Sequence, residues 1–115
     1  MEQLNKVELR GIIGSVRVSD VGDRKCIRMT VATNLAYKGA DGCAVIETTW
    51  HNVLAFEGGE VCGAESLSKG DHVNISGRIR NVRYTSSEGK DMTASEIYAT
   101  RVSRIVSDEP FLYQY

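Results

Sequence analysis

Apolar and polar residues alternate without interruption over positions 73–80. This period of two is typical of a β-strand with one buried face. The apolar face would carry Val73, Ile75, Gly77 and Ile79, and the other face Asn74, Ser76, Arg78 and Arg80. Similar patterns predict four more strands, at about 6–18 with a bend at Gly14, at 26–33, at 44–56 and at 91–105. The chain is therefore predicted to be all-β.

The connections between these strands reduce the number of possible all-β folds. Turns are predicted at 19–25 and 86–89, and a long, mobile hairpin loop at 34–43. Val61, Ala64 and Leu67 recur at helical spacing between the third and fourth strands, which predicts a short helix there. Three strands, a helix and two strands is the order of the OB-fold, a five-stranded Greek-key barrel. We expect it to occupy residues 1–106, followed by a short C-terminal extension at 107–115.

The third predicted strand carries the only tryptophan. Trp50 and Phe56 are six positions apart, so they share a face of that strand about 20 Å apart. Aromatic faces along a sheet bind single-stranded nucleic acid without reading its sequence. Burial in the core is the alternative role for both rings, and the surrounding charges favour the binding role for Trp50.

The charge distribution is uneven along the chain. A net charge of −1 and a pI near 6.1 argue against nucleic acid. The segment 69–90 is nevertheless mostly basic, with Lys69, Arg78, Arg80, Arg83 and Lys90 against Asp71 and Glu88. A basic strand beside an aromatic strand is what a groove that follows a phosphate backbone requires.

Other function classes find little support. The three cysteines, Cys26, Cys43 and Cys62, form neither a paired framework nor a CxxC metal site, and we expect them to be reduced. The sequence has no signal-peptide pattern and no long apolar run, so we expect a cytoplasmic protein. No motif names a nucleophile, a metal site or a phosphate loop, so we expect no enzyme, no metal and no cofactor.

Several short motifs together resemble the bacterial single-stranded DNA-binding protein family over residues 4–106. They are Asn5-Lys6-Val7 with Gly11 and Gly14, Val31-Ala32-Thr33, Glu47 to Val53 with Phe56, Leu67 to Gly70 with Arg80, and Arg83-Tyr84-Thr85. The resemblance implies base stacking by Tyr37, Trp50, Phe56 and Tyr84. It implies phosphate contacts from Lys6, Lys69, Arg80 and Arg83. It also implies that His51 lies at the interface of a homotetramer, or at least of a dimer.

The chain departs from the family pattern in two places. Asn52, Ser68 and Val82 stand where the family is frequently basic, which implies fewer phosphate contacts. The segment Asp108 to Phe111 resembles the acidic tip by which family members recruit replication and repair proteins, but Phe111 is not terminal. We therefore favour packing or interface contacts for these aromatics over recruitment.

The sequence predicts a non-catalytic protein that coats and protects single-stranded DNA in replication, recombination and repair. An OB-fold protein adaptor, or a replication-restart (primosomal) accessory with weak DNA binding, is the alternative. Replacing Trp50 by alanine separates them, because an adaptor would lose a partner complex and keep its DNA affinity.

Overall fold

A computed structural model describes residues 2–59, 61 and 66–105. Five strands run in the order β1 (Val7–Val21), β2 (Arg24–Lys38), β3 (Ala44–Phe56), β4 (His72–Thr85) and β5 (Asp91–Arg104). They form a closed barrel with the spatial order β1-β2-β3-β5-β4, in which β4 pairs with β1. The β3–β5 contact is parallel and the other four are antiparallel. The predicted all-β, five-stranded OB-fold is confirmed.

Alternation along the strands produces the core. Every strand sends one row of side chains inward, and the apolar residues of these rows pack together. The largest fully buried side chains are Ile13, Ile27, Val31, Val73, Ile75 and Val102. The register of β1 against β2 shifts between Ile13 and Ser15, which confirms the predicted bend at Gly14.

Two predicted features fall on residues that the structure does not describe. The predicted helix between β3 and β4 includes positions 60 and 62–65, and the C-terminal extension at 107–115 lies beyond the last described residue. Both stay predictions. Beside the helix region, Val61 forms isolated bridges with Gly58 and Val102.

The β2–β3 hairpin is longer than the sequence pattern indicated. Residues 34–38, predicted to lie in a mobile loop, continue β2 and pair with the start of β3, so that Tyr37 lies opposite Val45. The loop itself covers only residues 39–43. Gly42 closes it with a φ of 83°, and the backbone N–H of Cys43 donates to the carboxylate of Asp41. Composition alone indicates a loop here, but the backbone hydrogen bonds of residues 34–38 with the start of β3 make the segment a strand.

The far end of the β4–β5 hairpin extends beyond the barrel. β1 pairs with β4 only as far as Gly77, and the parallel contact of β3 with β5 is limited to the pairs Val53–Ile97 and Leu54–Tyr98. Residues 78–85 of β4 and 91–96 of β5 therefore pair with no third strand. Ile79, predicted to face inward with Ile75, is consequently 49% exposed, whereas Ile75 is 1% exposed. The projecting hairpin forms one wall of the candidate site.

Candidate nucleic-acid interface

A groove separates the β4–β5 hairpin from the sheet formed by β1, β2 and β3. Its volume is about 560 Å³. We call it the hairpin groove. Its polar and aromatic lining residues are Ser15, Arg17, Arg28, Thr30, Asn52, Tyr84, Ser95 and Glu96. An open groove with arginines and an aromatic ring in its walls fits an extended, negatively charged polymer better than a compact ligand.

Trp50 lies on the outer face of β3, and the core interpretation of its ring does not hold. The neighbours that point inward, Val53 and Ala55, are buried, whereas Trp50 is 60% exposed. Its indole lies against the backbone of β1 at Gly14. A Cβ atom at Gly14 would lie only 2.3 Å from Cζ3 of Trp50. The absence of a side chain at the bend of β1 is therefore what leaves room for the ring.

Phe56 shares the outer face of β3 with Trp50 but is half-buried. Its ring centroid is 6.2 Å from that of Tyr98 on β5, with the two planes tilted by 45°. The guanidinium of Arg24 lies 4.8 Å from the Phe56 centroid. Neither Tyr98 nor Arg24 was among the predicted site residues, because their proximity to Phe56 depends on strand pairing.

The two tyrosines predicted to stack on bases occupy different places. Tyr84 is exposed and lines the hairpin groove. Tyr37 is also exposed, but it lies far along the β2–β3 hairpin. The ladder from Cys26–Phe56 to Lys38–Ala44 has no register shift, so alternation puts Tyr37 on the face opposite Trp50. The structure does not bring Tyr37 and Trp50 together on one face.

Arg80 is held by a carboxylate. Its Nε and Nη2 atoms each lie 2.8 Å from Oε1 of Glu96. Arg28 of β2 approaches the other oxygen of the same carboxylate at 3.7 Å. The Glu96 side chain is only 12% exposed, so two arginines on different strands share one largely buried anion. Part of the positive charge expected from Arg80 is thereby balanced.

The remaining predicted phosphate contacts are spread over the surface. Lys6 forms an exposed ion pair with Glu8 at 3.4 Å. Lys69 lies in the turn before β4, where the Gly70 N–H donates to the carbonyl of Ile13, beside the bend that supports Trp50. Alternation along β4 puts Arg83 on the face opposite Arg80 and Tyr84.

The arginines that line the hairpin groove are Arg17 and Arg28, and neither was among the predicted site residues. They are paired across the β1–β2 ladder. Each belongs to a strand in which polar residues alternate with apolar ones, and this alternation is the one sequence pattern that indicates an outward-facing arginine. Sequence alone did not indicate which polar row would face the groove.

His51 is half-buried on β3, next to Trp50. Its Nε2 atom lies 2.9 Å from the hydroxyl oxygen of Thr33. Burial lowers the pKa of His51, because the charged imidazolium loses hydration there. Its predicted role at an oligomer interface stays a prediction.

Within residues 2–59, 61 and 66–105, no group of three or more His, Cys, Asp or Glu side chains is placed to hold a metal ion. Over the same ranges, no helix has the length and apolar character needed to cross a membrane.

Comparison with known proteins identifies close similarities over nearly the whole chain. The profile of the Single-strand binding protein family matches residues 4–105. A single-stranded DNA-binding protein of Neisseria meningitidis serogroup A is 31% identical over 105 residues, covering 89% of this chain and 60% of the relative. Single-stranded DNA-binding protein 1 of Xylella fastidiosa is 32% identical over 110 residues, covering 91% of this chain and 79% of the relative. The chain thus spans about 60% of the Neisseria protein.

Solved structures share the fold at lower identity. A Plasmodium falciparum SSB in complex with ssDNA superposes with a TM-score of 0.74 at 19% identity, covering 94% of this chain and 98% of that one. A deletion variant of the Thermus aquaticus single-stranded DNA binding protein gives a TM-score of 0.73 at 18% identity, covering 91% of this chain and 52% of that one. These likenesses concern the barrel.

Proposed function

The chain belongs to the single-strand binding protein family, and from this premise we propose that it binds and protects single-stranded DNA without reading its sequence. Stacking of bases on aromatic rings and contacts of Lys and Arg with phosphates supply the binding. The unpaired strand is favoured by mass action, because the protein binds it in preference to the duplex. Replication, recombination and repair are the processes that expose such strands.

The exposed indole of Trp50 carries this proposal. A large aromatic side chain that remains 60% exposed on a sheet face forgoes most of the hydrophobic stabilisation that burial would give. Its support by Gly14 holds the ring at a defined place beside the hairpin groove. Such a ring is suited to stacking on a base.

We assign all the residues predicted to contact DNA to this function, although their positions in the structure support this role to different degrees. In this proposal Tyr84 stacks on a base in the hairpin groove and Trp50 stacks on a base beside it, while Phe56 does so farther along the same face of β3. Tyr37 would contact DNA only where the strand reaches the tip region of the β2–β3 hairpin. Phosphate contacts come from Lys6, Lys69, Arg80 and Arg83, to which the groove adds Arg17 and Arg28.

In this proposal the protein acts by binding alone, with no catalytic step and no cofactor. We propose that it works as a homo-oligomer, a tetramer or a dimer, with His51 near the interface, and in the cytoplasm where chromosomal DNA is found. The resemblance at Trp50-His51 supports the oligomer, and the family's association with DNA supports the location. Recruitment of replication or repair proteins is a further proposed property.

Titration of Trp50 fluorescence with oligo(dT) tests the proposal directly, since the protein has one tryptophan. We expect strong quenching by the single strand, a weak response to a duplex of equal length, and an affinity that falls as salt rises. Anisotropy of a labelled oligo(dT) then compares Trp50→Ala with Trp50→Phe. The phenylalanine variant should retain most of the affinity, and the alanine variant should lose about 1–3 kcal/mol of binding free energy.

Absence of quenching together with absence of binding at low salt would overturn the proposal. A Trp50→Ala variant that binds oligo(dT) as the parent does, but loses a protein complex, would instead identify an adaptor.

A further inference from the structure

Two aromatic rings and three arginines meet where β2, β3, β5 and β4 lie side by side. The Phe56 and Tyr98 centroids are 6.2 Å apart, within the range of an aromatic pair. Arg24 lies over Phe56, at 4.8 Å from its centroid. Arg78 and Arg80 lie over Tyr98, at 5.2 and 5.0 Å. We call these five residues the β5 cluster.

Strand pairing explains why the β5 cluster forms. Leu54 pairs with Tyr98 across the parallel contact, and Tyr98 pairs with Arg78 across the antiparallel one. The outer face of β3 is thus continued by β5 and then by β4. The aromatic side chains on this face are Trp50 and Phe56 on β3, followed by Tyr98 on the neighbouring strand β5. The aromatic surface therefore continues past the edge of β3.

The positive charge of the β5 cluster is only partly balanced by carboxylates. Glu96 balances Arg80 and partly Arg28. Among the described residues, no carboxylate lies within ion-pair distance of Arg24 or Arg78. Two guanidinium groups held over aromatic rings without a counter-ion form a site for phosphate, since the planar guanidinium binds phosphate oxygens in a bidentate manner.

We propose that bound single-stranded DNA continues from Phe56 across Tyr98 onto β4, with Tyr98 stacking on a base and Arg24 and Arg78 contacting the phosphates on either side. This rests on the proposed single-stranded DNA binding and extends its path. A guanidinium over a part-exposed ring contributes less free energy than a stacked base does. A base can therefore displace the Arg78 guanidinium from the face of Tyr98, and the guanidinium then moves onto the adjacent phosphate.

A length series of oligo(dT) tests the extended path. We would measure binding of oligomers from about 4 to about 16 nucleotides, the range that single OB-folds cover. Tyr98→Leu keeps apolar bulk and removes the π-face, whereas Tyr98→Phe keeps both. We expect Tyr98→Leu to bind the shortest oligomers normally and the longest about five- to 150-fold more weakly, as one lost stack implies. Tyr98→Phe should bind every length normally.

The salt dependence of binding tests the proposed contact of Arg78 with a phosphate. With long oligomers, Arg78→Gln should reduce the slope of log K against log salt by about 0.7, the value for one phosphate of a single strand. Arg78→Lys keeps the charge and should retain most of the slope. With short oligomers neither variant should differ from the parent.

Photo-crosslinking of the parent protein to oligo(dT) that contains 5-iodouracil gives a test without substitution. A crosslink to Tyr98 with long but not with short oligomers is expected, and this result decides the matter even if Tyr98→Leu fails to fold. Equal binding of Tyr98→Leu and the parent at every length, with no crosslink at Tyr98, would overturn the extended path. Trp50 quenching in the parent would then show that single-stranded DNA binding itself still stands, whereas its absence would overturn both.

Discussion

Glu96→Gln should weaken the fold and strengthen DNA binding at the same time. The Glu96 side chain is 12% exposed, while the Arg80 side chain is 40% exposed and that of Arg28 is 59% exposed. Exposed ion pairs contribute about 0.2–1 kcal/mol, and breaking a fully buried pair costs about 3–5 kcal/mol. The Arg80 pair lies between these limits, and glutamine keeps an oxygen acceptor. We expect a loss of about 1–2 kcal/mol in the free energy of unfolding.

The effect on binding has the opposite sign. Glu96 lines the hairpin groove and pairs with Arg28 and Arg80. A DNA phosphate in the groove would be repelled by this carboxylate and would compete with it for both arginines. Glutamine removes the negative charge and leaves both guanidinium groups free for the DNA. We expect tighter binding to oligo(dT) at low salt and a slope of log K against log salt steeper by about 0.7, equivalent to one more phosphate contact.

Two assays on the same preparations measure these effects. Thermal unfolding should show a midpoint lower by about 4 °C for each kcal/mol lost. Anisotropy titrations with oligo(dT) at several salt concentrations give the affinity and the slope. Arg80→Gln is the matched control, because it breaks the same ion pair but should lower both stability and affinity. A folded Glu96→Gln protein with weaker binding would refute this reasoning, since Glu96 would then serve to position the arginines for DNA.

Two further predictions follow from the surroundings of Trp50 and His51. Gly14→Ala must displace the Trp50 ring by about 1 Å or more, because carbon atoms in contact are about 3.5–4.0 Å apart and its Cβ would lie 2.3 Å from Cζ3. We expect shifted tryptophan emission and weaker oligo(dT) binding with little loss of stability, and unchanged emission and affinity would contradict this. Burial holds the pKa of His51 below its ordinary value, so the unfolded chain binds more protons between the folded pKa and about 6.5. The free energy of unfolding should therefore fall as the pH is lowered through this window and be flat above it, and urea titrations of His51→Gln should lack this component if the assignment is correct.

Much of the fold could be predicted from local patterns. The bounds of β3, the bend at Gly14 and the alternation that buries Val73 and Ile75 follow from the period of a strand, which depends only on neighbouring residues. The length of the β2–β3 hairpin could not be read in this way. Whether polar residues form a loop or an exposed strand depends on the partner strand.

The candidate site was predicted less completely than the fold. Trp50 and Tyr84 stand out as aromatic residues in strands, and the structure leaves both exposed beside the hairpin groove. Arg17 and Arg28 did not stand out, because single arginines in polar rows are common on solvent-facing surfaces. Lys6 and Arg83 have the right charge but lie away from the groove lining.

The sequence by itself determined which segments form strands, which side chains share a face of each strand, and which family the chain resembles. Only the tertiary structure decided that Glu96 joins Arg28 to Arg80, and that Tyr98 continues the face of Phe56. The physical reason is that a period of two specifies faces within one strand, whereas contacts between strands depend on register. Here the β4–β5 ladder pairs Arg80 with Glu96, and the parallel contact between β3 and β5, which closes the barrel, brings this hairpin beside Phe56 and Arg28.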